Sequence, residues 1–151
     1  MAKRLYRRDV RRVVKRHVRD MSRAEVVKAY RNSRLKNLHG EFLDRRYRAL
    51  PMRVWELILE YSQVDKKQYR SDHWDCDNFA LALCGQVPMW FDVNGVGLVI
   101  DYSGKHAYNS LLVYDNNKLS IVGVEPQNDR WGVAKTGVRM YSAQNGYTIF
   151  G

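Results

Sequence analysis

The residues best suited to chemistry in this chain are a cysteine, a histidine and a carboxylate that lie in three separate segments. Cys76 stands in the segment WDCDN, residues 74–78, immediately before an apolar run. His106 and Glu125 follow it along the chain. A thiol is a strong nucleophile only as the thiolate, a histidine can accept its proton, and a carboxylate can orient that histidine. The pattern therefore predicts Cys76 as a nucleophile, His106 as its base and Glu125 as the orienting acid.

A helix is expected to hold the cysteine in position. The apolar run predicts a helix from about Asp75 to Cys84, with Gly85 as its C-terminal signal. Cys76 then falls in the first turn, where free backbone N–H groups and the helix dipole favour a thiolate. Asp75 and Asp77 oppose that ionisation through their like charge, unless one of them caps the helix.

A β-hairpin is expected to bring the histidine to its carboxylate. If Asn116-Asn117 is a two-residue turn, His106 faces Gln127 across the pair of strands, and Glu125 is its diagonal neighbour on the same face. A three-residue loop would shift the parity and bring Asn128 onto that face instead. We favour Glu125 as the orienting group and keep Asn128 as the alternative.

Two other interpretations of these segments compete with this one. A lone cysteine at the start of an apolar helix is most often a buried core residue, and Cys84 fits that description. His73 and Cys76 form an H-x-x-C fragment, but a structural zinc site needs a second spaced pair of ligands, which the sequence lacks. We therefore predict no metal site from the residues themselves.

The fold class predicted from the periodicity is α+β, with helices in the first half and an antiparallel sheet in the second. A first helix is predicted within residues 3–21. Ser22-Arg23-Ala24-Glu25 has the form of a capping box that starts a second helix, for which Gly40 is the expected stop. Pro51 suits the first turn of a third helix. Strands are predicted at residues 91–93, 96–102, 106–114, 119–124, 137–141 and 147–150.

The charge is distributed unevenly along the chain. Residues 1–50 contain 17 Lys+Arg against 5 Asp+Glu, whereas residues 51–151 contain 9 against 11. This asymmetry predicts two units, a basic helical arm at residues 1–44 and a body at residues 45–151. No window has the ~18 consecutive apolar residues of a membrane span. Two cysteines give no disulfide framework and the basic N-terminus has no apolar region of a secretory signal, so we expect a cytoplasmic protein.

The basic arm is expected to bind an anionic partner. Nine Lys/Arg lie within residues 3–19, and Asp9 is the single acid among them. Nucleic acid and an acidic protein surface both fit, and an anionic membrane fits less well because this segment lacks Trp and Phe anchors. Docking on another subunit is a rival use. The residues proposed for this role are Arg4, Arg7, Arg8, Arg11, Arg12, Lys15, Arg16 and Arg19.

The segments that carry the predicted chemistry resemble a known family. Residues 69–80, His106 with Asn109, and residues 125–127 are similar to the papain-like cysteine peptidases. The likeness is closest to the C-terminal protease domain of mushroom agglutinins and to bacterial and phage transglutaminase-like relatives. It covers roughly residues 45–131.

This resemblance implies a papain-like fold and a cysteine peptidase or amidase that works by acyl transfer, with the roles of the three residues as above. It further suggests a side-chain oxyanion donor upstream of the cysteine, for which Gln68 is the nearby glutamine. No cofactor is expected otherwise, and calcium dependence is implied by the resemblance alone. If the protein is phage-encoded, the location becomes the host cytoplasm or the virion. The alternative is a non-catalytic, phage-type binding or virion protein that uses the basic arm to bind nucleic acid or a partner.

Overall fold

The computed structural model describes residues 4–131 and 143–151. The described elements alternate between short helices and strands in the first half, and strands dominate after the fourth helix. The helices are α1 (Arg7–His17), α2 (Arg23–Arg31), α3 (Met52–Ser62) and α4 (Cys76–Phe91). The strands are β1 (Arg19–Ser22), β2 (His39–Phe42), β3 (Arg46–Ala49), β4 (Val96–Asp101), β5 (His106–Asp115), β6 (Lys118–Glu125), β7 (Arg130–Trp131) and β8 (Gly146–Phe150).

The strands form two sheets. β1 and β3 make an antiparallel pair, and the other six strands form one sheet in the order β2-β8-β4-β5-β6-β7. Its pairs are antiparallel except β2 with β8, which run parallel. The fold is therefore α+β, as the sequence predicted.

Helices cover both faces of the larger sheet. On one face Leu111 and Val113 of β5 pack in a cluster with residues of α1, α3 and α4. On the other face Val99 and Tyr108 pack against Tyr30 of α2. Burial of these apolar side chains on both faces is the main stabilising contribution to such a layered core.

Two local predictions are confirmed by the structure. Ser22 caps α2: its Oγ accepts from the backbone N–H of Glu25 at 3.2 Å, and Glu25 Oε2 accepts from the Ser22 N–H at 2.7 Å. Asn116 and Asn117 both have left-handed backbones, with φ of 51° and 59°, and close the β5–β6 hairpin with Asp115 opposite Lys118. Asparagine tolerates this conformation better than other non-glycine residues.

Three element boundaries differ from prediction. The first helix ends at His17, and residues 19–22 become β1 because they pair with β3. Gly40 is not a helix stop but a residue of β2, since α2 already ends at Arg31. α4 continues through Gly85 to Phe91, so residues 91–93 form no strand. The predicted strand at residues 137–141 lies outside the described residues.

The first 44 residues contact the rest of the chain in several places. Val10 and Val14 of α1 are buried in the same cluster as α3 and α4. β2 extends the larger sheet at its β8 edge. The division at residue 44 stays a prediction. Among the described helices none has the length and apolar character needed to cross a membrane.

Candidate functional site

The cysteine predicted as a nucleophile is the first residue of α4. Asp75 is the N-cap, and Asn78 Oδ1 accepts a hydrogen bond from the Asp75 backbone N–H at 3.1 Å. Cys76 is half-buried and its sulfur is a free thiol. Asp75 raises the pKa of the Asp77 carboxyl by hydrogen bonding and charge repulsion, with a further contribution from burial. The helix start therefore combines a thiol with an Asp77 carboxyl group whose ionisation Asp75 disfavours.

The predicted histidine and glutamate are brought together. His106 Nε2 lies 2.5 Å from Glu125 Oε2, and both side chains are about four-fifths buried, with 18% and 21% exposed. The hairpin register gives this contact, because Asn109 pairs with Val124 and His106 is then diagonal to Glu125. Glu125 is thus the hydrogen-bonded carboxylate partner of the ring. A short charge-assisted hydrogen bond of this kind holds an imidazole in one orientation.

The packing of α4 places the cysteine at the same end of the sheet. Asn109 Nδ2 of β5 donates to Ala80 O in the first half of α4 at 3.0 Å. The other end of the helix lies beside β3, because Arg48 donates a hydrogen bond to Asp92, the C-cap residue of α4, at 2.6 Å. Leu50, the residue after β3, in turn forms a β-bridge with Val113 in the C-terminal half of β5. α4 therefore runs in the direction of β5. Its first turn, with Cys76, lies at the end where β5 begins.

The remaining predicted residues, Gln68, Asn128 and Cys84, are not part of the contact between the His106 and Glu125 side chains. Gln68 is exposed in the segment before α4. Asn128 donates its backbone N–H to Glu125 O at 3.2 Å, in the turn after β6. Burial raises the pKa of the Cys84 thiol to about 12, against a smaller lowering by a hydrogen bond from Asn109. Across residues 4–131 and 143–151, no group of three or more His, Cys, Asp or Glu side chains is arranged to hold a metal, and calcium dependence stays a prediction.

The basic residues of the arm do not form one surface. The Arg7 guanidinium stacks on Trp90 at 4.4 Å and donates to Tyr61 Oη at 3.2 Å. Arg19 lies over Tyr114 at 5.0 Å. These cations are partly used in packing. Arg4 lies over Tyr6, Arg16 lines a separate hollow with Arg19, and a groove beside α1 is lined by Arg8, Arg11, Arg12 and Lys15.

An exposed aromatic face was missed by sequence reasoning. Tyr147 of β8 packs edge-on against Tyr102 at 6.1 Å and against His39 of β2 at 5.5 Å, measured between ring centroids. The tyrosine side chains are 43% and 56% exposed. His39 Nε2 in turn lies 2.7 Å from Glu41 Oε1. We call Tyr102, Tyr147 and His39 the aromatic face.

This face lies beside α4 on the same side of the sheet. Asn109 points at α4, Leu98 pairs with Asn109, and Ile149 pairs with Leu98. Tyr147, two residues before Ile149, therefore has the same orientation. α4 packs on β4 and β5, whereas Tyr147 on the next strand stays open to solvent. The sequence alone places Tyr147 at the start of the last predicted strand, but it does not indicate the contact with His39, which is distant in sequence.

Comparison with known proteins returns structural similarity alone. No family model and no curated protein matches the chain. A solved structure described as a PSL1a–E64 complex has a TM-score of 0.69 at 24% identity, over 87% of this chain and 51% of that chain. Polyporus squamosus lectin bound to the human-type influenza-binding epitope Neu5Aca2-6Galb1-4GlcNAc has a TM-score of 0.64 at 25% identity, over 87% and 49%. This chain spans about half the length of each of these chains.

The comparison contradicts the predicted family and function. One of the similar structures is described as a lectin bound to a glycan, so the assignment to papain-like cysteine peptidases and the prediction of a cysteine peptidase or amidase are corrected. The alternative of a phage-type protein that binds nucleic acid or a partner through the basic arm finds no support in them either. The α+β class holds, whereas the papain-like subclass is not confirmed.

Proposed function

We propose that this chain is a carbohydrate-binding protein and that the aromatic face contacts the glycan. The observation that carries the proposal is the structural similarity to a lectin that is described as bound to a glycan. The aromatic face supplies the matching surface, since two tyrosines and a histidine meet edge-on and stay solvent-exposed.

The chemistry of these side chains suits a sugar. An aromatic ring can cover the apolar C–H face of a pyranose, and the phenolic hydroxyl groups can bond to its hydroxyls. Glu41, held beside His39, adds carboxylate acceptors at the rim. Pockets that combine aromatic area with a few placed polar groups are the general form of small-ligand sites.

The test is titration of Neu5Aca2-6Galb1-4GlcNAc, and of Galb1-4GlcNAc without the terminal residue, into the purified protein. We expect Tyr147→Ala to weaken binding about tenfold, because ring stacking and its buried area are lost together. Tyr69→Ala is the matched control, since Tyr69 is similarly exposed, at 52%, but lies outside the aromatic face. Equal affinities for the two variants, or no glycan binding by the native chain, would contradict the proposal.

We also propose that Cys76, His106 and Glu125 are functional residues, with no hydrolase activity assigned to them. The support is the 2.5 Å contact between His106 and Glu125 and the position of Cys76 at a helix start near the same end of the sheet. A part-buried imidazole fixed by a carboxylate is costly as a purely structural feature.

Thiol alkylation tests this second proposal. At pH 8, four units below a pKa of about 12, roughly one Cys84 in ten thousand is a thiolate, so iodoacetamide should label Cys76 alone. We expect His106→Ala to slow that labelling, and a mass shift with E64, named in one similar structure, to require Cys76. Cys76→Ser is the control for site identity. Labelling of Cys76 that is indifferent to His106→Ala would refute a functional role for the three residues together.

A further inference from the structure

We infer that the groove beside α1 binds the acidic groups of an anionic glycan. The choice of a glycan as the ligand class rests on the proposed carbohydrate-binding function, whereas the site itself rests on separate residues. We call it the α1 groove, with a volume of about 540 Å³. It is lined by Arg8, Arg11, Arg12, Val14, Lys15, Val18, Arg48, Phe91 and Asp92.

The charge of the α1 groove is strongly unbalanced. Five of the lining side chains are cations and Asp92 is the single carboxylate, which gives 5 − 1 = +4. Arg48 and Asp92 neutralise each other, since Arg48 Nη1 donates to Asp92 Oδ2 at 2.6 Å. The uncompensated charge therefore belongs to the four cations of α1.

Few carboxylates of the described residues neutralise the charge of these four cations. Asp9 lies 3.9 Å from Arg8 and 3.7 Å from Arg12, which are long distances for ion pairs between exposed groups. Within residues 4–131 and 143–151, no carboxylate comes within 4 Å of Arg11 or Lys15. An external anion would therefore meet two cations with no competing partner.

The spacing of the cations along α1 makes them act together. Arg8, Arg11 and Lys15 are three and four residues apart and so share one helix face, which spans roughly 10 Å. Like charges at this spacing destabilise a helix by about 0.2–0.5 kcal/mol per pair. A polyanion lying along the face would attract all three cations and so offset their mutual repulsion.

The lining of the α1 groove favours a glycan over a bare acidic segment. Val18 is half-buried and supplies apolar surface beside the cations, whereas Val14 and Phe91, at 3% and 4% exposed, reach the groove only as the edge of the core. A sugar ring can place its C–H groups on such a surface while its sulfate or carboxylate groups face the guanidinium groups, which bind planar or tetrahedral oxyanions in pairs of hydrogen bonds.

The test uses heparin as the probe, with neutral dextran as the uncharged comparison, in 0.15 M salt. We expect Arg11→Gln/Lys15→Gln to weaken heparin binding by about tenfold or more, and to flatten the dependence of affinity on salt, because two charge-assisted contacts are lost. Lys28→Gln/Arg31→Gln removes the same charge from the exposed face of α2 and is the matched control. It should change the affinity less than twofold if the site is local.

Three results would overturn the inference: equal effects of the two double variants, no retention of heparin by the native chain, or tighter binding of duplex DNA or an acidic peptide than of heparin at equal charge. Tyr147→Ala should leave heparin binding unchanged. If the native chain binds heparin but neither Neu5Aca2-6Galb1-4GlcNAc nor Galb1-4GlcNAc, the aromatic face is refuted and the α1 groove stands. If it binds these glycans but not heparin, the α1 groove alone is refuted.

Discussion

Asp129 is a partly buried residue whose carboxyl group has an unusual environment. It follows β6 in a turn, with φ of 56°, and its Oδ1 is buried without a hydrogen-bond partner among the described residues. Burial raises the pKa of Asp129 to about 7, the charge of Asp65 adds to this, and Lys66 opposes it. The native protein therefore holds this proton at a pH where the unfolded chain has released it.

This difference predicts a pH-dependent stability. Because the pKa of Asp129 is about 7 in the folded state against 3.8 ordinarily, the unfolded chain binds fewer protons between those values. The free energy of unfolding should then fall as the pH rises from about 4 to about 7, and level off above. Asp129→Asn, which suits the left-handed backbone, should remove this decline and raise the Tm at pH 8. Thermal melts at several pH values measure it.

A matched variant separates the burial effect from the charge change. Asp72 is exposed and also has a left-handed backbone, with φ of 60°, so Asp72→Asn removes the same charge without relieving a buried group. Its Tm should follow the pH as the native chain does. If Asp129→Asn shows the native pH dependence as well, the buried carboxyl is not its source.

At the scale of elements, the hairpin and the helix cap were predictable because their signals are local. Two consecutive asparagines specify a tight turn, and a two-residue turn fixes which residues face each other along both strands. The His106–Glu125 contact followed from that register. The capping box at Ser22 and Glu25 needs just four residues of sequence.

Other elements depend on partners that are distant in sequence. Residues 19–22 carry a helical pattern but become β1 because β3, more than twenty residues later, pairs with them. Gly85 does not end α4, since Val87 and Phe91 beyond it are buried in the core cluster and hold the next turns of the helix in place. The aromatic face requires the parallel pairing of His39 with Tyr147, across more than a hundred residues. Tertiary pairing overrides local propensity in each case.

At the scale of the whole molecule, α1 has two roles on opposite sides. Its outer side lines the α1 groove with cations, while Val10 and Val14 are 0% and 3% exposed and pack in the cluster that includes Trp55 and Leu111. The net charge of +10 is concentrated in the first part of the chain, and packing of α1 on α3 and α4 offsets the repulsion within it. The stability of the body and the position of the groove should therefore be linked.

This link predicts the effect of truncating the buried valines on the inner side of α1. Val10→Ala/Val14→Ala should lower the free energy of unfolding by roughly 3–5 kcal/mol, because buried methyl groups are lost and cavities remain. The Tm should fall on the order of 10 °C in a single cooperative transition. Arg11→Gln/Lys15→Gln, on the same helix but outside the core, should leave the Tm nearly unchanged. If the valine variant instead melts at the native temperature, α1 contributes little to the common core, and residues 1–44 behave as the separate arm that their charge predicts.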